Sequence, residues 1–372
     1  MKAIVVLLSL SAAGCAGPPR MVQEPRLPSC RGVIDGSSVS SAVALRWFAP
    51  ADPSDGRAHA EWCRTVGPAV VEPAPARHPD SVPALEAGSD DLWIASWNTH
   101  VGGADLIAFV RDLRGGRWSG GVPVRHAVLL VQEVFRDGPE VPPLAAGQPR
   151  AFPDAVVPRA PASGRLDIVD AARRLGLAVF YAPSMRNGAA RPEDRGNAIL
   201  STLPLADLQV IELPFERQRR VAVAASVAVP GTSRRIVVAS AHLDNRGSLR
   251  RLVVLSSAAR RRQAQGLIAA LPGEGPAVVG GDLNTWLSGR EGALIELRRA
   301  FPDTPPARGA TFGSLRLDYL FFRLEPGWRA SWHAVDERYQ SDHRPVVARL
   351  CAHGCTESSR ISLTPHTCVP QC

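Results

Sequence analysis

Residues 276–284 read Pro-Ala-Val-Val-Gly-Gly-Asp-Leu-Asn. A short apolar run closed by glycine predicts a buried strand. Side chains alternate across a strand, so Asp282 and Asn284 face the same way if the extended backbone persists, while Leu283 returns to the core. The strand would then offer a carboxylate and an amide to one small substrate group. Asp-x-Asn alone equally describes a Gly-rich turn whose polar side chains bond the local backbone. The weight therefore falls on the remaining strands.

Those strands end in the same way. Leu92–Asn98 reads as a strand closing on an amide, followed by a helical pattern over Ala104–Leu113. His126–Glu133 is a second buried strand closing on an amide and a carboxylate. A helix is predicted over Leu166–Leu175 and an extended run over Leu177–Tyr181. Strand-like runs follow at Ala198–Ser201, Val221–Val229, Arg235–Ala241, Leu317–Phe322 and Pro345–Leu350, with a helix over Leu249–Leu271. This order indicates an α/β fold with more than one sheet-forming block. Asn98, Glu133, His242, Asp282, Asn284, Asp318, Asp342 and His343 all fall at or just beyond strand ends.

The residue types point to one chemistry. Amide and carboxylate oxygens suit Mg²⁺, which prefers hard ligands and is completed by water and substrate phosphate; Mn²⁺ and Ca²⁺ are alternatives. Zinc would call for His and Cys, and the cysteines lie far from these residues in the chain. Two histidines beside carboxylates offer proton transfer near neutral pH. An amide such as Asn284 can donate to charge developing on phosphorus. Metal, base, orienting carboxylate and oxyanion donor together describe a phosphoester hydrolase.

Seven short motifs occur in a fixed order: SWN at Ser96–Asn98, QE at Gln132–Glu133, RGNAILS at Arg195–Ser201, SAHLD at Ser240–Asp244, GGDLN at Gly280–Asn284, LDYLF at Leu317–Phe321 and SDHRPV at Ser341–Val346. Each is weak alone, but the series resembles the endonuclease/exonuclease/phosphatase superfamily. That resemblance implies a four-layer α/β sandwich, two sheets face to face with helices outside, and a site where strand ends meet. It implies Glu133 as principal Mg²⁺ ligand with Asn98 beside it, and Asp342 close to the metal. It further implies His343 as general base or phosphate binder oriented by Asp318, Asp282 activating water, Asn284 stabilising the transition state, and Arg195 and Asn197 near the phosphate. Whether His343 or Asp282 takes the proton stays open. A His at position 242 is similar to the deoxyribonuclease and sphingomyelinase branches and unlike AP endonucleases. Thr311-Phe312 resembles a short structural motif of the family, while Glu216–Arg220 reads as a solvated strand edge in preference to a substrate groove, the alternative.

The flanks add compartment. Lys2, the apolar run Ala3–Leu10 and Ser11–Gly14 before Cys15 have the form of a signal peptide, and Cys15 resembles a lipidated first residue; ordinary secretory cleavage near Ala16 is the alternative. Residues 1–15 are therefore expected to be a leader, 16–91 a Pro/Ala-rich spacer with a small element stapled by Cys30 and Cys63, 92–350 the main domain, and 351–372 a Cys-rich tail. Without Cys15, the chain's 7 cysteines leave an even set, which in an exported protein favours disulfides. The net charge of +8 rests almost wholly on arginine, Lys2 being the sole lysine, so it gives only modest support for an anionic partner. The Pro-rich loop Phe135–Gly164 is long enough to be a lid or specificity loop. A monomeric, exported phosphodiesterase is the expectation, with a phosphoester such as nucleic acid as partner and membrane contact through a lipid anchor only. A lipid or inositol phosphate phosphoesterase is the enzymatic alternative, and a non-catalytic binding lipoprotein the alternative of another class.

Overall fold

The structure, a computed structural model, describes residues 17–24, 33–35, 44–75, 89–143, 164–245, 250–306 and 309–352. In chain order the elements are β1 (Met21–Gln23), β2 (Val33–Asp35), β3 (Arg46–Pro50), α1 (Pro53–Cys63), β4 (Ala69–Glu72), β5 (Ser89–Asn98), α2 (Leu106–Arg114), β6 (Val124–Asp137), α3 (Ile168–Leu175), β7 (Ala178–Arg186), β8 (Glu193–Ser201), β9 (Ala206–Glu212) and β10 (Val221–Ala228). There follow β11 (Arg235–His242), α4 (Arg250–Ala270), β12 (Ala277–Asp282), α5 (Gly292–Ala300), β13 (Asp318–Arg323), β14 (Arg329–Ala334) and β15 (Val346–Cys351). They form a seven-stranded sheet ordered β1-β3-β9-β10-β11-β12-β13 and an eight-stranded sheet ordered β14-β15-β5-β6-β8-β7-β4-β2. Helices flank the pair, giving the expected α/β sandwich.

Strict alternation builds the layers. In β6, Val128 and Leu130 join the core between the sheets, whereas Ala127, Leu129 and Val131 join the core under α2 and α3. In β5 the same split separates Leu92 and Ile94 from Trp93, Ala95 and Trp97. Strands covered on both faces therefore read as continuous apolar runs. Helix ends follow local chemistry: Asp105 caps α2 and Asp167 caps α3, which stops at Gly176 in the left-handed region, φ +64°.

The spacer expected over 16–91 is corrected. β1 and β3 form one edge of the seven-stranded sheet, with β3 running parallel to β9. β4 pairs with β7 in the other sheet, and β2 pairs with β4. The predicted boundary at Leu92 therefore cuts through both sheets. These strands are short, and the partners that tie them into the two sheets, β9 for β3 and β7 for β4, lie more than a hundred residues away, so local periodicity does not reveal them. The predicted leader, Cys30 and most of the Cys-rich tail lie outside the described residues, as does residues 144–163 of the proposed lid. Among the described residues no helix is long and apolar enough to cross a membrane.

Candidate active site

Three of the expected residues form one lateral row. His242 closes β11, Asp282 closes β12 and Asp318 opens the antiparallel β13; register places His242 opposite Asp282 and Asp282 opposite Asp318. The two glycines before Asp282 make the row buildable. A methyl group on Gly281 would sit 1.8 Å from Ala241 O, and one on Gly280 would meet Leu130 Cδ1 of the facing sheet at 2.7 Å. Beyond Asp282 the strand does not stay extended: Asn284 has φ +50°, and its N–H donates to Asp282 Oδ1 at 2.9 Å. Asp282 and Asn284 still share the site, through a side-chain-closed turn rather than strand alternation, while Leu283 is buried as expected.

From the other sheet come Asn98 and Glu133. Asn98 ends β5, donates its amide to Asp282 Oδ2 at 2.9 Å and accepts His100 N–H at 3.0 Å. Glu133 sits in a bulge of β6, where pairing with β8 slips between Gln132 and Val134, and takes φ +52°. The bulge lets consecutive residues diverge. Gln132 turns between the sheets and donates to Ser240 Oγ at 3.0 Å, whereas Glu133 lines the cavity, about a quarter exposed.

His343 Nδ1 lies 2.7 Å from Asp318 Oδ2, and Nε2 lies 3.8 Å from Asp282 Oδ2. Burial works against the imidazolium, but the Asp318 and Asp282 carboxylates outweigh it and push His343 up to about 10. Burial raises Asp282 to about 6 against the pull of His343. At neutral pH the imidazole is therefore the cation and Asp282 the carboxylate. Thr311 Oγ1 accepts from Leu317 N–H and Asp318 N–H at 3.0 and 3.1 Å, and Phe312 packs on the His343 ring, centroids 4.9 Å apart. The Thr311-Phe312 motif is thus structural.

His242 is buried against two arginines and His343, all of which drive it well below its ordinary value, so it is neutral. Asn284 Nδ2 reaches both His242 Nε2 and the Leu243 carbonyl at 3.1 Å. A carbonyl only accepts, so that atom is the amide nitrogen, His242 Nε2 accepts, and Nδ1 carries the proton. This corrects one expectation. Both amide hydrogens of Asn284 are engaged, so it braces His242 and Asp282 and is not poised to donate to phosphate.

Asn98, Glu133, Asp342, Arg195 and Asn197 line the same cavity of about 490 Å³, together with His242, Asp282, Asn284 and His343. Asp318 stands behind it as the partner of His343. Asp342 Oδ2 lies 3.2 Å from His100 Nδ1. Burial favours the Asp342 proton, but the His100 bond and the charges of His343 and His100 hold the carboxyl below its usual range, and the same bond raises His100. His100 was not singled out from the sequence; it follows Asn98 in a Thr-His-Val-Gly-Gly turn that reads as a connection. Asn197 donates to Val221 O, and Arg195 Nη2 to Met185 Sδ at 3.5 Å.

The solvated-edge reading of Glu216–Arg220 is also corrected. Arg219 is fully buried in an ion pair with Glu212 at 3.1 Å, and Arg217, Gln218 and Arg220 line the cavity. An arginine run normally marks a wet face; here it lies between the cavity and the packed interior.

For a divalent cation the oxygen set fits. Glu133, Asn98 and Asp342 offer hard donors on one wall, and the nearest histidine nitrogen to the Glu133 carboxylate lies 3.9 Å away. Asp282, Asp318 and His343 also place ligand atoms within 4.8 Å of one another. That group is already closed on itself, with each imidazole nitrogen facing a carboxylate, so a cation there would compete with the imidazolium.

No curated protein matches the chain. Similar solved structures include an endonuclease/exonuclease/phosphatase from Beutenbergia cavernae DSM 12333, 21% identical over 70% of this chain and 71% of that one, TM-score 0.49. The human Nocturnin catalytic domain with bound sulfate is 15% identical over 71% and 96% of the two chains, TM-score 0.47. Sphingomyelinase C from Streptomyces griseocarneus is 18% identical over 70% and 99%, TM-score 0.40. The model described as Endonuclease/Exonuclease/phosphatase family, whose enzymes are generally divalent-metal phosphoesterases, matches residues 95–343. The chain belongs to that family.

Proposed function

We propose that this protein is a Mg²⁺-dependent phosphodiesterase that cleaves nucleic acid outside the cytoplasm. The carrying observation is the lateral row His242, Asp282 and Asp318, set opposite Asn98 and Glu133 of the facing sheet with His343 closing the far side. A binding protein on this scaffold would have no need of that row.

Glu133, Asn98 and Asp342 would hold the cation, which supplies Lewis-acid neutralisation of phosphate oxygens. Asp282 orients the attacking water and accepts its proton, since it is the carboxylate of the pair at neutral pH. His343, charged and fixed by Asp318, donates Nε2–H to a phosphate oxygen as negative charge grows there. Neutral His242 and Asn284 hold the floor of the cavity, while Arg195 faces the anion as a fork.

The rim is mixed. Arg195, Arg217 and Arg220 supply the basic side expected for a polyanion, and the Trp286 and Phe312 rings line the other side. A planar base beside a charged backbone fits both. The exposed Leu287 and Leu315, each 39% accessible near Trp286, favour a second reading, a phospholipid head group entering beneath an apolar lip. Cys63 and Cys351, both disulfide-bonded, support an oxidising compartment. Lipidation at Cys15 and a monomeric state rest on the sequence alone.

The test is hydrolysis of plasmid DNA, bis-p-nitrophenyl phosphate and sphingomyelin with Mg²⁺ or EDTA, beside His343→Ala. DNA cleavage that needs metal and His343 supports the reading. Preference for sphingomyelin selects the second, and a folded protein inert toward all three counts against both.

A further inference from the structure

Arg220 is set apart from other buried guanidinium groups by its partners: Arg186 donates to the carbonyls of Gly188, Pro142 and Arg191, and Arg114 to that of Leu175. Arg136, Arg219 and Arg260 are each paired with a carboxylate, Asp194, Glu212 and Glu291 respectively. Arg220 is only 5% exposed and lines the catalytic cavity. Among the described residues it makes no ion pair: Asp244, Glu133 and Asp282 act on it through space alone, and its neighbour is the neutral Gln218 amide, which, turned so that its oxygen faces Arg220, accepts from Nε at 3.0 Å and Nη2 at 2.5 Å. Burying a charge without a partner is costly, so such a group is held for an anion that arrives from outside. The engagement of both Asn284 amide hydrogens leaves room for another donor to the phosphate.

The segment carrying Arg220 is held by α1. Asp55 accepts the Phe215 N–H at 3.1 Å, and His59 Nε2 lies 3.0 Å from Leu213 O while Nδ1 lies 2.8 Å from Glu212. The Phe215 ring stands edge-on to His59 and Trp62, with centroids 5.8 and 6.1 Å away. Glu212 then pairs with Arg219, whose guanidinium donates to Pro183 O at 2.8 Å. α1 precedes the stretch matched by the family model, which begins at residue 95.

We propose that Arg220 grips a non-bridging oxygen of the substrate phosphate, and that α1, through His59 and Asp55, sets it in the cavity. This rests on the phosphodiesterase reading above. Arg220 is a substrate-contacting residue; His59 and Asp55 are positioning residues.

The test is inorganic phosphate binding to the full chain by titration calorimetry in Mg²⁺, with thermal melting alongside, for wild type, Arg220→Met, Arg220→Lys, His59→Gln and the Arg220→Met/His59→Gln double variant. Arg220→Met should weaken phosphate binding by about 10- to 100-fold, the loss of a charge-assisted bond, while melting at the same temperature or higher because an unpaired buried charge is gone. Arg220→Lys should recover part of the affinity. His59→Gln should weaken binding in the wild-type background and add nothing in Arg220→Met. Unchanged phosphate affinity in Arg220→Met, or a loss of stability without a loss of affinity, overturns the assignment. An equal effect of His59→Gln in both backgrounds overturns the role of α1. If wild type cleaves bis-p-nitrophenyl phosphate and Arg220→Met binds phosphate normally, only this inference falls. If wild type neither binds phosphate nor cleaves a diester, the functional reading falls with it.

Discussion

Asn98 and Asp282 belong to different sheets, yet Asn98 Nδ2 donates to Asp282 Oδ2 at 2.9 Å. The packing of one sheet on the other therefore sets the hydrogen bonding of the proposed base. Asn98→Ala removes a bond that favours the Asp282 carboxylate, whose pKa already stands at about 6. The acid limb of kcat/KM should move to higher pH, and the plateau should fall about a hundredfold. A profile that keeps its acid limb in place would rule out Asp282 as the group that titrates there.

The His343–Asp318 pair makes a stability prediction of defined sign. His343 holds its proton up to about pH 10 in the folded chain against an ordinary value of 6.5, so between these values the folded state binds more proton than the unfolded one. The stabilisation is fully present below pH 6.5 and is lost as pH rises through 10. Urea midpoints for wild type should fall across that window, and Asp318→Asn should flatten the slope. Parallel slopes for the two proteins would remove the pair as the cause.

Gly281→Ala tests the close approach of β12 to β11. With 1.8 Å between the added carbon and Ala241 O, the backbone must move. A loss of about 3 kcal/mol or more is expected from denaturant unfolding. A variant as stable as wild type would show that the parallel pair is less tightly packed than described.

Glu133, the proposed cation ligand, carries backbone strain. Its φ of +52° is a region that Asn tolerates better than Glu. Glu133→Asn should equal or exceed the wild-type melting temperature in EDTA, yet lose the stabilisation that added Mg²⁺ gives wild type, and lose activity by about a thousandfold. An undiminished Mg²⁺-induced shift would move the cation site elsewhere.

Much of the site was legible because it is built at strand ends, where an apolar run and its terminal polar residue are both local features. His242, Asp282 and Asp318 are of this kind, and so is Asn98. What the sequence concealed depends on departures from regular geometry or on distant neighbours. The left-handed turn at Asn284 changes which atoms it has free. The bulge at Glu133 sends adjacent polar residues to different places. Arg220 looked solvated because nothing within its own run shows that α1 and α4 cover that segment. β9, with one glutamine and two acidic residues in seven, and β14, with polar residues on both sides of Trp332, lacked a clean alternation. α5 lacks a capping side chain at its start.

The N-terminal strands complete the outer rims of both sheets, and this bears on how the chain is made. Synthesis delivers β1 to β4 first, but β3 must wait for β9 and β4 for β7, so the earliest residues are among the last to find their places. Until then β7 and β9 present unpaired backbone to any passing chain. An expression boundary drawn at residue 95, where the family model begins, would make that waiting period permanent and yield a sticky, half-edged protein.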